Sequence, residues 1–185
     1  MPGSIFFDVS PYYGLTLAEE RLGWTLEGKR QKVVLATKCG RYGVEEFDFS
    51  AKRIRYEVEA SLRRLRTDYV DLLQAHDIEF ASFEQIIHEA IPTMRELQAE
   101  GKAQYIGITG YPIDMLKRAA EQVQVDSILS YCRFNLINTD IERGRGGKAQ
   151  HKEIAGQSTE IQIHFEGPSW SRKKEIAMKD CTTSK

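Results

Sequence analysis

The sequence predicts an α/β fold of about five parallel strands with intervening helices, followed by an irregular C-terminal segment. Three observations carry this. Apolar runs of strand character alternate strictly with amphipathic helical stretches through the first 140 residues. Alternation of that kind implies parallel strands joined by right-handed helical crossovers. After about Asp140 the alternation stops, and Gly144, Gly146 and Gly147 interrupt any helix.

The elements follow in order. Ser4–Val9 is a short apolar run, closed by a turn from Pro11 to Gly14. Thr16 stands three residues before Glu19, a capping-box spacing that predicts a helix through about Leu26. Lys32–Cys39 holds Val33, Val34, Leu35 and Ala36, a buried-strand pattern bounded by Gly40. From Ser50, the residues Ile54, Val58, Leu62 and Leu65 fall on one helical face. Tyr69–Gln74 reads as the third strand. Ser82 and Gln85 repeat the capping-box spacing, and Ile86, Ala90, Ile91, Met94 and Leu97 mark the buried side of the next helix, stopped by Gly101. Tyr105–Thr109 is the fourth strand. Pro112 suits a first helical turn, and Met115, Leu116, Ala119 and Val123 define that helix's inner face. Ser127–Cys132 is the fifth strand. An open doubly wound sheet and part of a (β/α)8 barrel both satisfy this order, and periodicity does not choose between them.

Residues 141–185 differ in character. They carry net charge +3, nine Lys/Arg against six Asp/Glu, whereas residues 1–140 carry −4. Ile161–Phe165 alternates apolar and polar residues and fits a strand. Otherwise no βα unit continues, so 1–140 reads as the α/β unit and 141–185 as a divergent, poorly ordered tail.

Composition narrows the function. With 41% hydrophobic residues, 29% charged residues and a net charge of −1 over 185 residues, the chain has a normal soluble profile. Nothing global points to nucleic acid or to an anionic membrane. The run from Met1 to Phe7 is broken at once by Asp8, so neither a secretory signal nor a membrane span is expected. Cys39, Cys132 and Cys181 are odd in number and widely spaced, and His76, His88, His151 and His164 lack metal-ligand spacing. The expectation is a reduced cytoplasmic protein without structural metal.

The first three βα junctions each deliver an ionisable residue near the carboxyl end of a strand. These are Asp8 with Tyr13, then Lys38, then His76. In parallel α/β folds that edge is where active sites are built. A lone buried Asp or Lys is more often a structural ion pair, but four such groups on one rim also make chemical sense. Reducing a carbonyl needs a hydride donor and an acid for the oxygen. Tyrosine, with a pKa of about 10, is a weak acid for work near neutrality. A lysine ammonium about 4 Å away supplies roughly 4 kcal/mol at an effective dielectric of about 20, enough to lower it by two to three units. Lys38 would tune Tyr13, Asp8 would orient Lys38 and compensate its burial, and His76 would hydrogen-bond the carbonyl oxygen. Cys39 beside Lys38 has two readings, a cation-activated thiolate or a small strand-end residue, of which the second is preferred. Tyr12 reads as a cleft-wall aromatic and His88 as a surface or packing residue.

These residues resemble the aldo-keto reductase family. Phe7-Asp8-Val9-Ser10-Pro11-Tyr12-Tyr13-Gly14 is similar to its segment in which Asp precedes the catalytic Tyr by five residues, and Glu19 with Leu22-Gly23 continues that motif. Ala36-Thr37-Lys38 resembles its catalytic-lysine strand. Ser61-Leu62, Leu65, Asp68-Tyr69-Val70-Asp71 and His76 resemble the stretch leading to its catalytic His. Gly101-Lys102 and Ile106-Gly107-Ile108 resemble its next βα segment. The resemblance covers about residues 4–140. It implies a partial (β/α)8 TIM barrel using NAD or NADP, with Tyr13 as general acid/base and Asp8, Lys38 and His76 in support. It also implies cofactor contacts at Asp8, Thr109 and Gly110, the last two standing where the family carries Ser-Asn against the nicotinamide amide. Thr37-Lys38-Cys39-Gly40-Arg41-Tyr42 and His76-Asp77-Ile78-Glu79-Phe80 look most like the branch that oxidises L-galactose to its lactone with NAD. A small sugar or other carbonyl compound is the expected partner, with the oligomeric state left open.

Set against the family, the sequence starts inside the second barrel strand and lacks the last strands with their cofactor-phosphate loops. A truncated form is therefore expected, and the alternative to an active enzyme is an inactive fragment acting at most as a binding partner.

Overall fold

The computed structural model describes residues 5–131 and the strand at 160–164. The expectation of an irregular tail over 141–185 lies, apart from that strand, outside the described residues, as does Cys132. The strands are β1 (Ile5–Asp8), β2 (Val33–Cys39), β3 (Val70–Ala75), β4 (Ala103–Thr109), β5 (Ser127–Tyr131) and β6 (Glu160–His164). Between them run α1 (Leu17–Thr25), α2 (Ala51–Leu65), α3 (Phe83–Gln85), α4 (Ile91–Ala99) and α5 (Ile113–Gln122).

The spatial order of the strands is their order in the chain, β1 to β6. β1 to β5 are parallel, and β6 pairs antiparallel with β5. This order separates the two architectures that periodicity left open. A doubly wound sheet reverses its direction of progress at a switch point, with helices on both faces. Here every crossover steps the same way, and right-handed connections then put every helix on one face. The five parallel strands form a curled half-barrel.

The two faces of the sheet differ as that geometry demands. Leu35 and Cys39, Leu73 and Ala75, Ile106 and Ile108, and Ile128 belong to the core that includes Ile54, Val58, Leu62 and Leu65 of α2 and Met94 and Leu97 of α4. Because side chains alternate along a strand, the intervening residues line the concave face. Register places Lys38 beside Gln74, Gln74 beside Gly107 and Gly107 beside Ser127, so a polar row crosses that face.

Helix starts show which local signals decide. Ser50 Oγ accepts from the Arg53 amide at 3.3 Å, and Ser82 Oγ accepts from the Gln85 amide at 3.1 Å. The Gln85 side chain, however, turns to Glu89 rather than back to Ser82. Gly101, with φ of +81°, ends α4 as its position suggested. Between α3 and α4 the helix widens into a π-helical turn at Ile86–Ala90. Pro92 lies just beyond and has no N–H for the usual i−4 bond, which accounts for the local re-spacing.

The capping box expected at Thr16 does not form. Thr16 sits in the left-handed region at φ 76° and makes no capping hydrogen bond to the backbone. Glu19 is instead fully buried, accepting from Thr37 Oγ1 at 2.6 Å, Ser61 Oγ at 3.2 Å and Arg64 Nε at 2.7 Å. A charged, well-hydrogen-bonded partner outweighs one backbone amide at a helix end. This network ties α1 to β2 and α2, and Gly23 lets the two helices close: a Cβ there would lie 2.2 Å from the Arg64 carbonyl oxygen.

Candidate active site

Asp8 ends β1, and the chain then folds into consecutive tight turns. Tyr13 N–H donates to Ser10 O at 3.0 Å, and Thr16 N–H donates to Pro11 O at 2.8 Å. Gly14, Leu15 and Thr16 all have positive φ. Three left-handed residues in succession curl this loop over the strand ends.

Lys38, near the end of β2, projects from the concave face into that loop. Its Nζ donates to Asp8 Oδ1 at 2.7 Å and to Val9 O at 3.2 Å, and it lies 4.8 Å from the centroid of the Tyr13 ring. Burial works against the ammonium, but attraction from Asp8 and Tyr13, with hydrogen bonds to both, raises its pKa above the ordinary lysine value. Lys38 is therefore a fixed cation beside the tyrosine.

His76 follows β3, its N–H held by Cys39 O at 2.8 Å. The imidazole meets the Tyr13 ring edge-on, with centroids 5.8 Å apart at 88°, and its Nδ1 lies 3.2 Å from Ser10 Oγ. Burial lowers its pKa to about 4, with Lys38 and Arg41 adding to that effect and Asp77 opposing it. The ring is neutral near pH 7. Asp8, Tyr13, Lys38 and His76 thus meet at the carboxyl ends of the first three strands.

Thr109 and Gly110, at the end of β4, join the rim differently. Thr109 is buried, and its Oγ1 accepts from the Asp77 N–H at 3.0 Å. Gly110 N–H donates to Leu129 O at 3.1 Å. A Cβ at Gly110 would fall 2.5 Å from Glu79 Oε2. Glu79 Oε1 accepts from the Tyr111 N–H at 2.9 Å, while Oε2 is buried with no hydrogen-bond partner among the described residues. Burial raises the pKa of this carboxyl.

Four residues around the site had no assigned role in the sequence reading: Ser10, Arg41, Asp77 and Glu79. Arg41 pairs with the buried Asp77 carboxylate at 2.6 Å. Its guanidinium lies 3.9 Å over the Tyr12 ring and 5.2 Å from that of Phe47, which stacks on Phe80 at 4.2 Å. Tyr12 thus packs against the Arg41 guanidinium. All four residues stand inside the strings that carried the family resemblance, and that was the available signal. Cys39, by contrast, is wholly enclosed on the helix side of β2, and burial pushes its thiol up to about 12. It is a packing residue, not an activated thiolate. Among the described residues, no cluster of three or more His, Cys, Asp or Glu is placed to hold a metal ion, and no helix is long and apolar enough to cross a membrane.

Residues 3–155 match the model of the aldo/keto reductase family. The L-galactose dehydrogenase of Arabidopsis thaliana is 50% identical over 145 residues, covering 75% of this chain and 45% of that protein. An aldo-keto reductase from Bacillus halodurans, solved in its holo form, superposes with a TM-score of 0.61 at 34% identity, covering 68% of this chain and 43% of the other. One from Klebsiella pneumoniae, solved in complex with NADP and acetate, gives a TM-score of 0.55 at 27% identity, covering 64% of this chain and 38% of the other. The chain spans less than half the length of each of these proteins.

Proposed function

This chain belongs to the aldo/keto reductase family, and from that premise we propose that it carries the proton-transfer half of an NAD(P)-dependent sugar oxidation, converting L-galactose or a similar aldose to its lactone. The observation that carries the reading is the Asp8–Lys38 ion pair set against the Tyr13 ring, which the neutral His76 ring also meets edge-on. The 50% identity to a plant L-galactose dehydrogenase supports the sugar class.

The residues have complementary parts. Tyr13 Oη would accept the proton of the sugar's anomeric hydroxyl on oxidation and return it to a carbonyl oxygen in the reverse direction. The fixed Lys38 cation favours the phenolate and makes that exchange accessible nearer neutrality. Asp8 keeps Lys38 charged and aimed. His76, being neutral, offers a ring N–H to the substrate oxygen without competing for its proton.

The nicotinamide cofactor, when bound, would take up or give the hydride. The rim fits such a group. Glu79 Oε2, buried and without a hydrogen-bond partner among the described residues, sits against Gly110 and is an acceptor suited to a carboxamide N–H. Thr109, Gly110 and Asp8 would contribute to its seat, with Glu79 added.

The test is a fluorescence titration of the purified, monodisperse chain with NADH and NADPH, followed by turnover with L-galactose. Saturable binding and nicotinamide reduction are expected, with Tyr13→Phe nearly abolishing turnover at similar cofactor affinity. A folded chain that binds neither nucleotide, or a Tyr13→Phe variant that turns over normally, overturns the reading.

A further inference from the structure

We propose that Ser10 is a positioning residue that locks the His76 imidazole in its Nε2–H tautomer, so that the ring presents a hydrogen-bond donor to the substrate oxygen. The functional half of this inference rests on the sugar-oxidation reading above. The tautomer itself rests on the geometry around a neutral ring and not on that reading.

Ser10 is completely buried. Its Oγ accepts from the Tyr12 N–H at 3.1 Å and lies 3.2 Å from His76 Nδ1. A serine hydroxyl has one proton to give. Among the described residues, the only acceptor at hydrogen-bond distance from that hydroxyl is His76 Nδ1. If Nδ1 carried the ring proton, the contact would run from the ring to Oγ and would orphan the serine proton in a closed site, a penalty native proteins avoid. The hydroxyl therefore donates, Nδ1 accepts, and the proton of the neutral ring resides on Nε2.

The surroundings leave that N–H for a ligand. His76 Nε2 is 3.7 Å from Asp77 Oδ2, beyond hydrogen-bond reach. Arg41 holds the same oxygen at 2.6 Å, and the arginine is pinned by its stacking on Tyr12. Ser10 also ties the two reacting side chains together. Its carbonyl accepts from the Tyr13 N–H at 3.0 Å while its hydroxyl reaches the His76 ring. One small residue in the β1 loop thus sets both the position of the tyrosine and the polarity of the histidine. The pair is 66 residues apart in the chain.

The experiment is a long-range proton–nitrogen NMR spectrum of the 15N-histidine-labelled full chain near pH 7, with the His76 ring assigned by its loss in His76→Gln. The expected wild-type pattern is a protonated Nε2 and an unprotonated Nδ1. Ser10→Ala should move the ring toward a mixture of tautomers, and Ser10→Thr, which keeps the hydroxyl, should retain the wild-type pattern. A protonated Nδ1 in the wild type, or an unchanged ring in Ser10→Ala, overturns the proposal. In a turnover assay with L-galactose, Ser10→Ala should lower kcat by about tenfold or more with the KM for nicotinamide nucleotide unchanged, part of the roughly 10²–10⁴-fold supplied by a positioned acid–base group. Failure of the sugar-oxidation reading would show as absent turnover with the Nε2–H spectrum intact. Failure of the tautomer assignment would show as the wrong ring spectrum with or without turnover.

Discussion

The Lys38 ammonium and the Asp8 carboxylate meet at 2.7 Å, the lysine side chain 2% exposed and the aspartate 18%. The cation is enclosed while its counter-charge keeps some contact with solvent. The pair thus depends on the aspartate to make a buried ammonium tolerable, and removing one partner of such a pair is far more costly than the pair is stabilising. Asp8→Asn should destabilise the fold by about 3–5 kcal/mol, read from urea unfolding at pH 7. The sign of the pH dependence follows from the raised Lys38 pKa. Its contribution is complete below the unfolded lysine value and is lost only as pH rises through the higher folded one. The gap between wild type and variant should therefore be widest near neutrality and narrow toward and above about pH 10, since the unpaired lysine of the variant, desolvated without its carboxylate, sheds its proton earlier. A gap under about 1 kcal/mol would mean that the ammonium is compensated elsewhere.

Lys38→Met tests the electrostatic link to Tyr13. The substitution keeps an unbranched stem one atom shorter and removes the charge 4.8 Å from the tyrosine ring. The apparent pKa governing the rate should move upward, because the phenolate loses its stabilising cation. An unchanged pH–rate profile in a folded variant would detach Lys38 from the chemistry.

Legibility in the sequence followed the range of the interactions. The buried strands were readable because Val33 to Ala36 is an apolar run and Val70, Leu72 and Leu73 cluster around a single charge, and Lys38 was readable as a charge closing the first of these. Ser82 caps as its spacing suggests because nothing distant competes for its hydroxyl, and Ser50 caps in the same way. Thr16 and Glu19 have the same spacing, yet Arg64, 45 residues further on, claims the carboxylate. The contact from Ser10 to His76 is equally invisible locally. The choice between barrel and open sheet lies in the spatial order of strands, which the alternation of elements does not encode.

Gly23 should prove intolerant of any side chain. The close approach of α1 to α2 puts a would-be Cβ 2.2 Å from the Arg64 carbonyl oxygen and 2.9 Å from Leu65 backbone atoms. Backbone does not yield as a flexible side-chain end does, so the helices must separate. Separation would also stretch the Arg64–Glu19 bond, now 2.7 Å. Gly23→Ala should cost at least about 1–3 kcal/mol, despite the better helix propensity of alanine. A variant as stable as the wild type in thermal and urea unfolding would show that the helices can shift without loss.

His76 makes the folded state sensitive to acid. Its pKa, about 4 in the folded chain against an ordinary 6.5, means that the unfolded chain binds a proton between those values and the native one does not. Stability therefore rises with pH across that window and is lost on acidification, by about 1.4 kcal/mol per unit of the difference. Between pH 7 and pH 4 the histidine should account for a loss of about 3 kcal/mol. Carboxylates titrate in the same range, so the measurement is a comparison of urea unfolding for wild type and His76→Gln at several pH values. The two stability curves should converge by about 3 kcal/mol toward pH 4, because the glutamine amide has nothing to protonate. Curves that stay parallel would mean that folding does not lower the His76 pKa, and the burial that holds the ring neutral beside Tyr13 would lose its support.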